Sequence, residues 1–222
     1  MRREREKRLD AVLLLYILRK SGSSSSRTKV QRTTFLVEFN LRRANLVGPH
    51  FRFFRYLDGP YSQQISQDLD ELARNGFILK TTLIPTERGQ FLIDLIIPPL
   101  REISDNKRAF EIIDSVLQWC KPRRAESLLR HVCGLEVFPD ESPDVHMKVR
   151  DVPRFWDIID PSETGLKISP ELDQLLKTEL ALTPRQLRDA KRRLPQIERR
   201  AFKNLEEALK SDDQPYAQTQ LG

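Results

Sequence analysis

Histidine, cysteine and glycine are all scarce in this chain, and each scarcity removes a class of function. Its 222 residues include 3 histidines, 2 cysteines and 8 glycines. Cys120 and Cys133 form no CxxC pair, so no disulfide framework is expected and both thiols read as reduced. The combination that comes nearest to a metal set is His131, Cys133, Cys120 and His146. Zinc wants short paired spacings, whereas His131 and Cys133 lie two apart on a predicted helix and so point in different directions. No metal and no other cofactor is expected. Phosphate-cradling and nucleophile loops are missing as well: no Walker loop, GxGxxG or GxSxG occurs. Nothing near Asp68, Asp70, Asp212 or Asp213 supplies a nucleophile or base, and the three histidines are scattered. No catalytic residue is assigned, and the chain does not read as an enzyme.

A long hydrophobic run is also missing. The longest apolar stretch near the start, Ala11 to Leu18, is far too short to span a bilayer. The opening MRREREKRLDAVLLLYIL carries Glu4, Glu6 and Asp10, and no small-residue cleavage site follows, so it does not read as a secretory leader. A cytoplasmic protein with no membrane contact is expected.

What the chain does have is charge. Subtracting 32 acids from 38 bases leaves +6, a modestly basic balance that suits an anionic partner. Arg2, Arg3, Arg5, Lys7 and Arg8 crowd the amino end. Lys29, Arg32, Arg42, Arg43, Arg52 and Arg55 surround the next two predicted elements.

Periodicity places those elements. Leu9, Val12, Leu13, Tyr16 and Ile17 fall at helical spacing, predicting a first helix over 4–20. SGSSSS at 21–26 is a loop. Ser26 or Thr28 can cap a second helix with Val30, Thr34, Val37 and Leu41 along one face. The aromatic run Phe51 to Leu57 reads as a strand ended by Asp58-Gly59-Pro60. Ser62 is placed to cap a third helix with Ile65, Leu69 and Leu72 inward, and Gly76 to stop it. A second strand over 77–82 returns through a very short wing to Leu83-Ile84. Thr86 caps a fourth helix that Pro98-Pro99 should end. Two helices follow, over 106–120 and 122–134, the second opened by Pro122. Residues 135–168 are loop-rich and read as a hinge. Ser169-Pro170 and Thr183-Pro184 each start a helix, a last one runs from Pro195 to about Lys210, and 211–222 reads as a disordered tail.

The order helix, helix, strand, helix, strand, strand, helix is that of a winged helix-turn-helix. The expected fold is therefore mostly α with a small antiparallel β-hairpin or wing, plus an all-helical C-terminal extension. Its expected divisions are a winged-helix-like domain over 1–100, a helical extension over 101–150 and a C-terminal helical region over 151–210.

Within that frame, Lys29-Val30-Gln31-Arg32, the aromatic strand 51–57, Gly59-Pro60-Tyr61-Ser62, Asn75-Gly76-Phe77 and Thr86-Glu87-Arg88-Gly89 recur in a known order and spacing. In them the chain resembles the YwgA-type proteins and, more distantly, the Panacea or SocA-like antitoxin domain, over somewhat less than half its length. The resemblance implies a winged-helix-like fold and a prokaryotic or viral origin; antitoxins of that group act by binding toxins.

DNA binding is the leading expectation on this reading, and an antitoxin-type interaction module is its alternative. In the first, the third helix enters the major groove of double-stranded DNA, with Gln63, Gln64, Gln67 and Arg74 outward and Arg2, Arg3, Arg5, Lys29, Arg32 and Arg52 on phosphates. The module would act as a dimer, as a regulator or accessory factor. Asp68, Asp70 and Glu71 on the same helix oppose this, and the face equally fits a solvated surface. In the second, the protein is an antitoxin-type interaction module whose partner is another protein. The basic C-terminal run RQLRDAKRRLPQIERRAFK suits a DNA arm, a dimerisation helix or a hairpin packed on its own domain.

Overall fold

A computed structural model describes residues 2–22, 26–46, 48–57, 59–138, 146–159 and 166–181. The fold is mostly helical with a small antiparallel hairpin sheet. In chain order the elements are α1 Glu4–Ser21, α2 Arg27–Arg43, β1 Phe53–Tyr56, β2 Gly59–Tyr61, α3 Gln63–Arg74, α4 Glu87–Glu102, α5 Ser104–Cys120, α6 Ala125–Cys133, β3 Glu136–Val137, β4 Met147–Lys148, β5 Asp157–Ile159 and α7 Pro170–Ala181.

α1 is the central helix. Every residue from Val12 to Leu18 is buried, because α2, α4, α5 and α7 all pack on it. A helix apolar all round belongs inside, and the run Ala11–Leu18 has that character. Local signals set the ends of several neighbours. The Ser26 hydroxyl accepts from the Lys29 N–H and starts α2. The Thr86 hydroxyl accepts from the Gly89 N–H and starts α4, and the Ser169 hydroxyl accepts from the Leu172 N–H and starts α7. α3 ends in a Schellman motif. Gly76 takes φ +75°, its N–H reaches the Ala73 carbonyl at 3.1 Å, and the Phe77 N–H reaches Leu72 at 2.9 Å.

Gly89 has a different reason to be glycine. A Cβ there would collide with the Phe77 carbonyl oxygen, so the start of α4 lies against the chain leaving α3. Gln31 joins α2 to α3 as firmly. Its amide donates to the Ser62 carbonyl at 2.8 Å and accepts from the Ser62 N–H at 2.9 Å, satisfying both backbone groups of a buried residue. The motifs Lys-Val-Gln-Arg, Gly-Pro-Tyr-Ser and Thr-x-x-Gly are thus coupled: each supplies a contact that holds α2, α3 and α4 together.

The structure corrects several details. β1 does end ahead of Gly59-Pro60, at Tyr56, but those residues are not a bare turn: Gly59–Tyr61 forms β2, paired antiparallel with β1 in the register Phe54–Tyr61, Arg55–Pro60 and Tyr56–Gly59. β2 is an edge in the order β2-β1-β5, where the missing proline N–H costs no ladder bond. Ser62 occupies the N-cap position of α3, yet its buried hydroxyl makes no capping bond. The wing expected over 77–84 shrinks to a single bridge between Ile78 and Pro85. Leu83 turns into the core there with φ +57°, which ends the ladder. α4 runs through Pro98 and Pro99 to Glu102, and Ile96, Ile97 and Leu100 are buried along it. Burying those side chains offsets the lost helical hydrogen bonds. α6 starts at Ala125, leaving Pro122 outside it.

The loop-rich stretch holds the largest surprise. β5 pairs antiparallel with β1, so the strand expected to lie beside a wing is covered by residues a hundred positions later. Ties across the expected boundary near 100 are numerous. Lys29 Nζ donates to the Lys121 carbonyl at 3.0 Å, Arg32 to Ala125 at 2.7 Å, and Arg8 pairs with Asp173 at 2.8 Å. Residues 1–181 accordingly form one compact unit. The helices expected from Thr183 and Pro195, the basic run and the tail lie outside the described residues.

Candidate functional site

The residues expected to touch DNA divide sharply once placed. Arg2 is not at the surface: its guanidinium is buried between Asp68, at 2.8 and 3.0 Å, and Asp10, at 3.0 Å, with the Phe51 ring 4.9 Å from its carbon. Burial opposes the Arg2 charge, but the two carboxylates outweigh it and raise its pKa above the ordinary value. Asp68, expected to oppose phosphates from α3, is the other half of that pair. Lys29 is buried with its ammonium on a backbone carbonyl, and Arg32 is half-buried with its guanidinium on another. A buried cation bound to internal acceptors has no face for a phosphate. The corrections share one cause: these side chains lie between elements that the sequence alone does not bring together.

The remaining candidates are at the surface but apart. Arg3 is exposed beside Glu6, and Arg5 is exposed with its guanidinium reaching the Ile168 carbonyl. Arg52 pairs with Asp157, and its N–H donates to Gln64 at 2.7 Å, which fixes Gln64 against the strand. Gln63, Gln67 and Arg74 are exposed along α3. Asp70 and Glu71 share that exposure, and Arg27 pairs with Asp70.

A different surface stands out. On the outer face of the β1–β2 hairpin, Phe54, Tyr56, Tyr61 and Phe155 form an aromatic cluster with ring centroids 5.5–6.3 Å apart. Alternation along β1 explains the division: Phe53 points into the core against Phe35, so Phe54 and Tyr56 point out. Tyr61, opposite Phe54, joins them. Phe155 is 65% exposed, Leu57 51% and Tyr56 41%. Phe155 and Leu57 both have left-handed backbones, φ +69° and +38°, which bulky residues rarely adopt. The Phe155 conformation is over-determined by its neighbours: its N–H donates to the Arg55 carbonyl at 2.7 Å, and the Arg55 N–H to Trp156 at 2.9 Å. Such a backbone persists only where the surrounding structure over-determines it.

Beside the cluster runs a groove of about 370 Å³ lined by Arg27, Gln31, Arg32, Tyr56, Leu57 and Tyr61. Two of its three longest polar side chains are occupied within the protein, Arg32 on Ala125 and Gln31 on Ser62. Arg27 faces Asp70. The surface is therefore apolar and aromatic with its flanking charge largely compensated. The sequence signal for it was partial. The run FRFFRYL marked the strand, but nothing near Phe155 indicated that it would join that strand.

Among the described residues no group of three or more histidine, cysteine or carboxylate side chains is arranged to hold a metal. Cys120 is buried, which pushes its thiol pKa up to about 11, and His131 packs on Trp119 with centroids 4.6 Å apart. No helix among the described residues is long and apolar enough to cross a membrane. Comparison with protein-family models, curated proteins and solved structures finds no significant match.

Proposed function

We propose that this chain is a non-catalytic, cytoplasmic binding module that holds a protein partner on the outer face of its β1–β2 hairpin. The single observation that carries the reading is Phe155, 65% exposed in a left-handed conformation and ringed by Phe54 and Tyr56. Tyrosine, phenylalanine and arginine around an apolar centre are the composition of protein-binding hot spots. Nucleic acid needs uncompensated cations, and Arg27, Arg32 and Arg52 around this face already have internal acceptors. In the terms of the resemblance, the partner is a toxin-like protein that the module neutralises or scaffolds.

The test is co-expression with the product of an adjacent gene, followed by light scattering on the purified material. A stoichiometric complex is expected, lost in the double variant Tyr56→Ser, Phe155→Ser while the circular dichroism stays unchanged. A wild-type protein that remains alone, or a complex indifferent to that variant, overturns the reading. Light scattering of the protein by itself decides whether the face pairs with a second copy as a homodimer.

Double-stranded DNA is the second reading, favoured by Gln63, Gln67 and Arg74 on the exposed side of α3 and by the net +6 charge. It requires duplex affinity that falls steeply from low to moderate salt and drops again in Arg3→Ala and Arg74→Ala. Affinity indifferent to salt and to both variants removes it.

A further inference from the structure

A second concavity lies away from the hairpin face, between the last turn of α2 and the β3–β4 ladder. Its volume is about 670 Å³, within the range of small-molecule sites, and Phe39, Arg42, Arg43, Leu135, Phe138 and His146 are among the residues that line it. One wall is cationic. Arg42 is anchored from behind: its Nε donates to Glu38 Oε1 at 3.1 Å, and Glu38 is itself wholly buried. Arg42 Nη2 and the second carboxylate oxygen, Glu38 Oε2, are both shielded from solvent and without a hydrogen-bond partner among the described residues. Arg43 lies 5.9 Å over the Phe39 ring. The opposite wall is aromatic. Phe138 is 56% exposed and stacks on His146 with centroids 4.5 Å apart and planes 28° from parallel, while His146 leans on Glu136 at 3.3 Å.

We propose that this cleft binds a small organic anion bearing a planar ring, with the anion on Arg42 and Arg43 and the ring on Phe138 and His146. Basic residues in the last turn of a helix also complement its dipole, which accounts for their charge. That role does not account for a buried carboxylate spent on aiming one guanidinium. An arginine held by a buried carboxylate is pre-organised, so a ligand that meets it finds the geometry already set. Burial pushes the Glu38 carboxyl up to about 7, with Arg42, on its own helix, and His50, on the loop before β1, opposing and Asp10 on α1 reinforcing.

Isothermal titration of the full chain with adenosine monophosphate and with 2-naphthoate tests the proposal. Saturable binding of at least one compound is expected. It should weaken about tenfold in Arg43→Ala and similarly in Phe138→Ala, both surface changes that leave the fold intact. Phe155→Ala, on the separate hairpin face, should leave it unchanged. No saturable heat with either compound, affinity unaltered in Arg43→Ala and Phe138→Ala, or inorganic phosphate binding as well as the ring-bearing anions overturns it.

Discussion

The corner where Arg2, Asp10, His50 and Asp68 meet and the outer face of the β1–β2 hairpin reverse the usual assignment of residue types. In the corner, charged groups are buried and satisfied by one another. Asp10 accepts from Arg2 and from both the backbone and the ring nitrogen of His50, each at 3.0 Å. On the hairpin, large apolar rings face solvent with strained backbones beneath them. The corner is a stability device that ties the start of α1 to α3 and to the loop before β1. Arginine content alone pointed to Arg2 as a surface contact; placement buries it and leaves the exposed large side chains Tyr56, Leu57 and Phe155 on the hairpin face.

The largest effect is expected at Arg2. Arg2→Ala leaves Asp68 buried without its partner and strips Asp10 of one of its three donors, and a loss of about 3–5 kcal/mol in chemical denaturation is expected. A loss below about 1 kcal/mol would mean that the corner is not structural. Gln31→Ala comes next. It strands the Ser62 N–H and carbonyl together, and a cost of about 2 kcal/mol is expected from the same measurement.

Acidity sharpens the contrast further. Burial holds Glu38 at about 7 in the folded chain, above its ordinary 4.5. His50 is also raised: burial lowers it, but the Asp10 hydrogen bond and charge prevail. Between about 4.5 and 7 the folded state thus binds more protons than the unfolded one, so stability falls as pH rises through that window. The His50 contribution, present below its ordinary 6.5, is likewise lost as pH rises through its raised folded value. Denaturation midpoints at pH 5.5 and 8 should show the decline, and Glu38→Gln should flatten the part due to that carboxyl. A wild-type profile that rises over this window contradicts it.

The smallest effect is expected on the exposed face. Phe155→Asn relieves a left-handed backbone that asparagine tolerates, and a gain of about 0.5 kcal/mol is expected. The same variant should lose the protein partner. Stability gained as binding is lost would place this face on the functional side of the comparison; a clear loss of stability would return it to the structural side.

Much of the framework was legible. Helical spacing located α1 to α3, hydroxyl caps located the starts of α2, α4 and α7, and Gly76 located the end of α3. The candidate site was only half legible: the aromatic strand was evident, and its exposed partner Phe155 was not. The phosphate-contact set failed at Arg2 and Lys29 because outward-facing charge was inferred from composition along the chain, while both side chains bridge separate elements.

Signals that act within a turn or two of backbone are written in adjacent residues, since a cap, a left-handed glycine or a 3.6-residue period depends on neighbours alone. Pairing of β5 with β1, burial of Arg2 between Asp10 and Asp68, and continuation of α4 through Pro98-Pro99 depend on surfaces brought together from distant positions. There the energy of packing overrides local preference, and only the assembled tertiary structure decides which arginine is inside and which phenylalanine is out.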